Sequence, residues 1–245
     1  MNNFTALICF LLAFVSNTVT AETIYVAIAS NFIKPANKII HQFEQETGHQ
    51  VKASFGSSGK LYAQIKHGAP FSLFLSADQD KPKKLIKEGY ASQDDVATYA
   101  VGQLVLWSAN PAFKGKEQQR LANAQFNKIA VANPKLAPYG LAAQHFLKNY
   151  QFKPSQMVIG ENINQAFQFV ATGNADLGLI AKSQLPDGES GWLVPDTLYP
   201  AIQQDMLLIQ SSSHYHVAKQ LFDYFKTPNS QNIVASFGYK LPAED

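Results

Sequence analysis

The sequence predicts an α/β protein of two lobes, each built on a mostly parallel sheet flanked by helices. Short β-rich runs alternate with segments of helical period, and this alternation is interrupted by a long apolar run at residues 99–109 before it starts again. Such alternation is typical of parallel strands covered by helices. The 245 residues are enough for two lobes of about 100 residues each.

The first alternating unit begins at residues 23–29, TIYVAIA, which have the composition of a buried strand. Apolar residues from Phe32 to Phe43 recur at helical spacing and predict the first helix. Further strands are predicted at 50–55 and 73–77, and a Lys-rich helix is predicted at 79–88.

The second unit repeats this order after the long apolar run. We predict strands at 128–133, 156–160 and 176–181, with helices at about 140–150 and 164–172. The repeated order indicates a second sheet of the same kind.

Two apolar runs are predicted to cross between the lobes. Residues 99–109 are longer than one ordinary strand requires, and residues 201–210 follow an irregular, Pro-rich stretch. Predicted helices at 214–226 and 229–237 would return to the first lobe. The predicted boundaries are therefore residues 22–99 and 207–245 for lobe 1, and residues 100–206 for lobe 2.

The first 21 residues predict a secretory signal peptide. They contain no charged residue, and an apolar run from Ala6 to Val15 precedes the small residue Ala21. The run is shorter than the roughly 20 apolar residues of a membrane-spanning helix, and a buried N-terminal helix is the alternative. The single cysteine, Cys9, lies within this segment. We expect a periplasmic mature chain without disulfides.

The charge balance excludes partners that are bound by bulk electrostatics. The chain has 20 Lys and Arg against 18 Asp and Glu, a formal net charge of +2. This excess is too small to suggest a nucleic-acid or membrane-surface protein. A charged ligand must therefore be held by local geometry.

Four strand-to-helix junctions carry the residues of interest. Ligands of doubly wound sheets bind outside the carboxyl ends of the strands, where helix N-termini offer unpaired N–H groups to anions. Ser30 directly follows the first predicted strand, and Ser57 and Ser58 stand between glycines before a helix. Tyr139 and Ile163 lie in the first turns of two later helices. These junctions could converge on an oxyanion, although a serine before a helix is often only an N-cap.

Other chemistries are less well supported by the motifs. In FGSSGK, Gly56 and Gly59 are too close for a nucleotide-binding phosphate loop, and Leu61 stands where a magnesium-binding hydroxyl is needed. The G-x-S-x-G elbow of a serine hydrolase is missing. His214 and His216 form a possible metal pair, but solvated surface is the preferred interpretation. A regulator's sensing domain is disfavoured because an export signal precedes the α/β unit.

Five segments together resemble the periplasmic molybdate-binding proteins of ABC importers. They are VAIAS (26–30), FGSSGKLYAQIKHGAP (55–70), FLSAD (74–78), NPKLAPYGLAA (133–143) and ATGNADLGLIAKSQ (171–184). The resemblance implies the type II periplasmic binding protein fold, with two crossing hinge strands and closure of the lobes around an oxyanion.

The resemblance also implies the ligand-binding residues. They are the hydroxyls of Ser30 and Ser58 and the backbone N–H groups of Tyr139 and Ile163, where side-chain identity should matter little. Molybdenum would be bound as its oxyanion through these residues, with no side chain ligating a metal cation and no catalytic residue.

Two positions depart from the family pattern. Ala181 stands where some relatives have a tyrosine that donates its hydroxyl to the ligand, so one donor is missing or is replaced. Ser72 stands where relatives tend to have Asp, and we expect this to change only the local loop bonding.

The predicted function is high-affinity binding of molybdate, and also of tungstate, with delivery to an inner-membrane ABC permease. We expect a monomer without enzymatic activity, cofactor or nucleic-acid partner. The closest alternative is the same fold binding another anion such as sulfate or phosphate. A secreted serine hydrolase is a more distant one.

Overall fold

The computed structural model describes residues 21–210 and 212–242. The predicted signal peptide, residues 1–21, lies outside the described residues except for its last residue. The strands are β1 (Thr23–Ala29), β2 (Gln50–Gly56), β3 (Leu73–Leu75), β4 (Val96–Gly102), β5 (Leu104–Trp107), β6 (Ile129–Ala132), β7 (Met157–Gly160), β8 (Leu177–Ala181), β9 (Trp192–Leu193) and β10 (Ile202–Leu208). The helices are α1 (Ile33–Thr47), α2 (Ser58–Lys66), α3 (Asp80–Lys87), α4 (Glu117–Ala122), α5 (Pro138–Leu147), α6 (Ile163–Ala171), α7 (Tyr215–Phe225) and α8 (Pro228–Ser236).

The described strands form two five-stranded sheets, which confirms the predicted fold class. The first sheet has the order β2-β1-β3-β10-β4, and the second has the order β7-β6-β8-β5-β9. In each sheet four strands run in one direction, and the reversed strand is β10 or β5. The sheets are thus mixed but mostly parallel in direction.

The long apolar run at 99–109 is split between the two sheets. It contains the end of β4, which pairs with β10 in the first sheet, and all of β5, which pairs with β8 in the second. A Cβ at Gly102 would lie 2.2 Å from the Tyr139 hydroxyl oxygen, so the glycine lets the chain pass close to α5. The run therefore crosses between the sheets as predicted, but as two strands instead of one.

The chain returns to the first sheet between β9 and β10, through residues 194–201. Pairing of β4 with β10 reaches Gly102 and Ile202, so the first sheet includes residues that the predicted boundaries assign to lobe 2. The boundaries at 99/100 and 206/207 stay predictions.

Helices cover both faces of the first sheet because side chains alternate along its strands. Ile24, Val26 and Ile28 of β1 face a core that includes residues of α1, α7 and α8. Ala27 faces the opposite core, with residues of α2 and α3. The C-terminal helices thus pack on the first sheet, as predicted. A third core surrounds the second sheet. Among the described residues, no helix has both the length and the apolar character that crossing a membrane requires.

Candidate functional site

One small cavity between the sheets is lined by all four of the predicted site residues. Its empty volume, counted out into the open solvent at its mouth, is about 180 Å³. Strand ends and helix starts of both sheets meet around it, and most of its lining is buried. The lining residues are Ala29, Ser30, Asn31, Gly56, Ser57, Ser58, Ala77, Ala137, Pro138, Tyr139 and Ile163. None of these side chains carries a full charge at neutral pH.

Ser58 begins α2, and its hydroxyl can donate a hydrogen bond into the cavity. Its Oγ accepts a hydrogen bond from the Ala77 N–H at 2.9 Å, and the side chain is buried. Since that oxygen already accepts one bond, the hydroxyl proton is free to point elsewhere, and Ser58 lines the cavity.

Ser57, which precedes α2, is a site residue that the motif comparison did not assign. It is the N-cap of α2, but its side chain makes no capping hydrogen bond. Its Oγ is buried without a hydrogen-bond partner among the described residues. The sequence signal that could have identified Ser57 was its place in a pair of serines between two glycines.

Ser30 and Asn31 follow β1 on a short 3-10 turn that leads into α1. Both are buried and both line the cavity. The Asn31 side chain is anchored behind the cavity, because its Nδ2 donates to Gln204 Oε1 at 2.8 Å and to the Tyr239 hydroxyl at 2.9 Å. Asn31 was also not predicted, since an asparagine after a strand is an ordinary turn residue.

The second lobe contributes two helix N-termini. Tyr139 is the second residue of α5, after Pro138, and Ile163 is the first residue of α6. Backbone N–H groups in a first helical turn have no acceptor within the helix, so they are available to an anion. The cap of α6 uses the Asn162 side chain, which accepts from the Gln165 N–H at 3.0 Å. Both predicted donors therefore lie at the cavity.

The side chain of Tyr139 packs beside the crossing strands, separately from the backbone N–H that is predicted to bind the ligand. It is buried, and its hydroxyl accepts from Gln204 Nε2 at 3.4 Å, beside the crossing strands. Burial raises the pKa of Tyr139 well above its ordinary value, so the phenol stays neutral. Replacing the ring would leave a void where β4 approaches α5.

The two lobes touch across the cleft next to the cavity. The Gly59 N–H donates to the Leu136 carbonyl oxygen at 2.9 Å, and Lys60 Nζ lies 2.7 Å from Glu161 Oε1. Each pair joins the beginning of α2 to the second lobe. The arrangement is therefore closed around the cavity.

The two departures from the family pattern lie away from the cavity lining. Ala181 is buried, and its N–H donates to Gln184 Oε1 at 3.0 Å. The Ser72 hydroxyl bonds to the Ser212 hydroxyl at 2.6 Å. The Ser72 hydroxyl thus joins its loop to the segment before α7, and Ala181 does not belong to the cavity lining.

The two C-terminal histidines have separate partners. His214 Nδ1 lies 2.7 Å from Glu22 Oε2, and His216 Nε2 lies 3.0 Å from Gln220 Nε2. Over residues 21–210 and 212–242, no group of three or more His, Cys, Asp or Glu side chains is arranged to hold a metal ion.

Comparisons with known proteins agree with this geometry. The family profile described as bacterial extracellular solute-binding protein matches residues 24–240. A molybdate-binding protein of Azotobacter vinelandii is 44% identical over 229 residues, covering 90% of this chain and 91% of the relative. A molybdate-binding protein of Rhodobacter capsulatus is 42% identical over 224 residues, covering 89% of this chain and 88% of the relative.

A solved structure shows the same similarity in three dimensions. The periplasmic molybdate-binding protein of Azotobacter vinelandii superposes with a TM-score of 0.86 at 36% identity. The match covers 90% of this chain and 100% of that structure.

Proposed function

The chain belongs to the bacterial extracellular solute-binding protein family. From its similarity to molybdate-binding relatives we propose that it binds molybdate in the periplasm and delivers it to an ABC importer. The observation that carries the proposal is the convergence of Ser30, Ser58, Tyr139 and Ile163 on one cavity. Hydroxyls and helix N-termini supply donors there without a charged side chain. Such a shell suits a small dianion and explains why the chain needs no cationic excess.

The donor set is sufficient for tight binding. Hydrogen bonds to a charged group contribute about 1.5–3 kcal/mol each, and micromolar affinity corresponds to about −8 kcal/mol. The four predicted donors, together with two more supplied by Ser57 and Asn31 of the lining, would therefore support submicromolar binding after the cost of ordering. Because both lobes contribute, the oxyanion favours the closed state, which the permease would recognise.

The same site should accept tungstate, which has the same charge and tetrahedral shape. A shell made mostly of donors favours a fully deprotonated oxyanion over hydrogen phosphate, which carries an O–H donor of its own. Sulfate has the right charge but is smaller, so cavity size must separate it from molybdate. We propose that the protein is a monomer and needs no cofactor.

Calorimetric titration of residues 22–245 with molybdate, tungstate, sulfate and phosphate tests the proposal. We expect submicromolar dissociation constants for molybdate and tungstate and at least about 100-fold weaker binding of the other two, a difference of about 2.7 kcal/mol. Tight binding of sulfate or phosphate without heat from molybdate would overturn it. Turnover of generic esters that Ser58→Ala abolishes would favour a hydrolase instead.

Export is tested separately. We propose that residues 1–21 are removed on export, and N-terminal sequencing of the periplasmic protein should begin at Glu22. An intact N-terminus on protein that remains in the cytoplasm would contradict this.

A further inference from the structure

A buried hydrogen-bond network behind the cavity joins the two lobes. Ser183 follows β8 of the second sheet, and its Oγ donates to the backbone carbonyl oxygen of Asn31 at 2.8 Å. Asn31 follows β1 of the first sheet. The Tyr239 hydroxyl donates to the same carbonyl oxygen at 2.9 Å and lies 3.0 Å from Ser183 Oγ. One carbonyl is therefore held by the second lobe and by the C-terminal segment.

The network continues to a crossing strand. The side-chain amide of Asn31 donates through Nδ2 to Gln204 Oε1 on β10. The Tyr99 hydroxyl donates to the same oxygen at 3.0 Å. Gln204 in turn donates to Tyr139 at 3.4 Å. The residues at both sides of the cavity are thus connected through β10.

Every member of this network is buried. Ser183 is 5% exposed, Asn31 is 2% exposed and Gln204 is fully buried. Hydrogen bonds in dry surroundings are stronger than in water, and a buried group that loses its partner is costly. Ser183 and Asn31 follow strands of different sheets, so a rotation that parts the lobes would strain or break their bond. The bond therefore favours the closed arrangement.

We propose that Ser183 is a positioning residue that holds the loop of Ser30 and Asn31 against the second lobe and raises oxyanion affinity without touching the oxyanion. Ser183 does not belong to the residues that line the cavity. The inference rests on the proposed function, since it names a further determinant of affinity at the same site. It predicts that the hydroxyl slows ligand release, because release requires the lobes to open.

Ser183→Ala tests this inference, with Ser108→Ala as the matched control. The Ser108 hydroxyl is also buried, but it donates to the Asp176 carbonyl oxygen within the second lobe. Stopped-flow fluorescence with molybdate should show that Ser183→Ala releases the ligand about 3- to 10-fold faster with an unchanged association rate. Ser108→Ala should keep both wild-type rates, because its hydroxyl does not bridge the lobes.

Thermal unfolding of the ligand-free variants separates closure from folding. Damage to folding would lower the melting temperature and the active fraction, whereas loss of an inter-lobe bond changes the release rate. Release from Ser183→Ala within about two-fold of wild type would overturn the inference.

Solution scattering distinguishes failure of the inference from failure of the proposed function. If the wild-type protein bound no oxyanion, the proposed function would fail. Ligand-free Ser183→Ala should then still show a larger radius of gyration than Ser108→Ala, because its lobes are held together less well. Equal radii in that case would overturn the inference as well.

Discussion

The backbone N–H of Gly59 donates across the cleft to the carbonyl oxygen of Leu136 at 2.9 Å. Gly59 is the second residue of α2, and Leu136 precedes α5. A Cβ on Gly59 would lie 3.1 Å from that oxygen and 3.2 Å from the Leu136 Cα. The approach of the lobes beside the site therefore depends on a residue without a side chain.

Gly59→Ala should weaken oxyanion binding by about 3- to 10-fold, because the added methyl group separates the lobes by a few tenths of an ångström in the closed state. The ligand-free protein should unfold close to the wild-type temperature, because without a ligand the lobes can part slightly and make room for the methyl group. Calorimetry and thermal unfolding check the two parts. Wild-type affinity of Gly59→Ala would show that the Leu136 backbone moves aside without a loss of binding free energy.

Ser30→Ala and Ser58→Ala should each weaken molybdate binding by at least about 1 kcal/mol, roughly five-fold, because each removes a hydroxyl donor. Ser58→Ala should also lower the stability of the ligand-free protein, since the Ala77 N–H loses its acceptor. Titration calorimetry measures the affinities, with Ser108→Ala as the control. If neither substitution weakens binding, the site assignment is wrong.

Ser57→Ala should leave the ligand-free protein as stable as wild type or up to about 1 kcal/mol more stable. Its hydroxyl is buried without a partner among the described residues and does not cap α2, and an unsatisfied buried polar group costs free energy. Urea denaturation measures the free energy of unfolding. A clear loss of stability would mean that the hydroxyl has a partner.

Molybdate affinity should stay constant between about pH 6 and about pH 9. A site that used His or Lys would lose affinity as rising pH removed the cationic proton. Tyr139 is the one ionisable side chain in the cavity lining, and its pKa is raised by burial, so it stays neutral in this range. Titrations at three pH values check this. A fall in affinity toward high pH would reveal a cationic donor.

Acid should destabilise the first lobe partly through Asp95. Burial acts to raise the pKa of Asp95, but hydrogen bonds from Tyr215, Ser92 and Gln210 outweigh it and lower the pKa. A lowered folded-state pKa gives stability that is present above the unfolded value of about 3.9 and is lost as pH falls through the folded pKa. Asp95→Asn should therefore show a smaller loss of stability between about pH 5 and about pH 2 in urea denaturation. If Asp95→Asn lost as much stability as wild type over this pH range, Asp95 would not contribute to the acid destabilisation.

The order of elements was largely predictable because hydrophobic periodicity is a local property. The predicted strand at 23–29 has the same bounds as β1, and the helix from Phe32 to Phe43 corresponds to α1. Apolar residues of α1 at the predicted positions are buried. The strand β9 and the short helix α4 were missed, because two and six residues give too little periodicity.

The sequence by itself determined the α/β class, the two alternating units and the four junction residues, since these follow from local patterns and from motif resemblance. Only the tertiary structure decided that the junctions meet at one cavity and that Ser57 and Asn31 join them. It also decided that Asn31 bonds with Gln204 and Tyr239, which lie 173 and 208 residues away along the chain. Such partners are chosen by the packing of distant segments, and local periodicity carries no information about them.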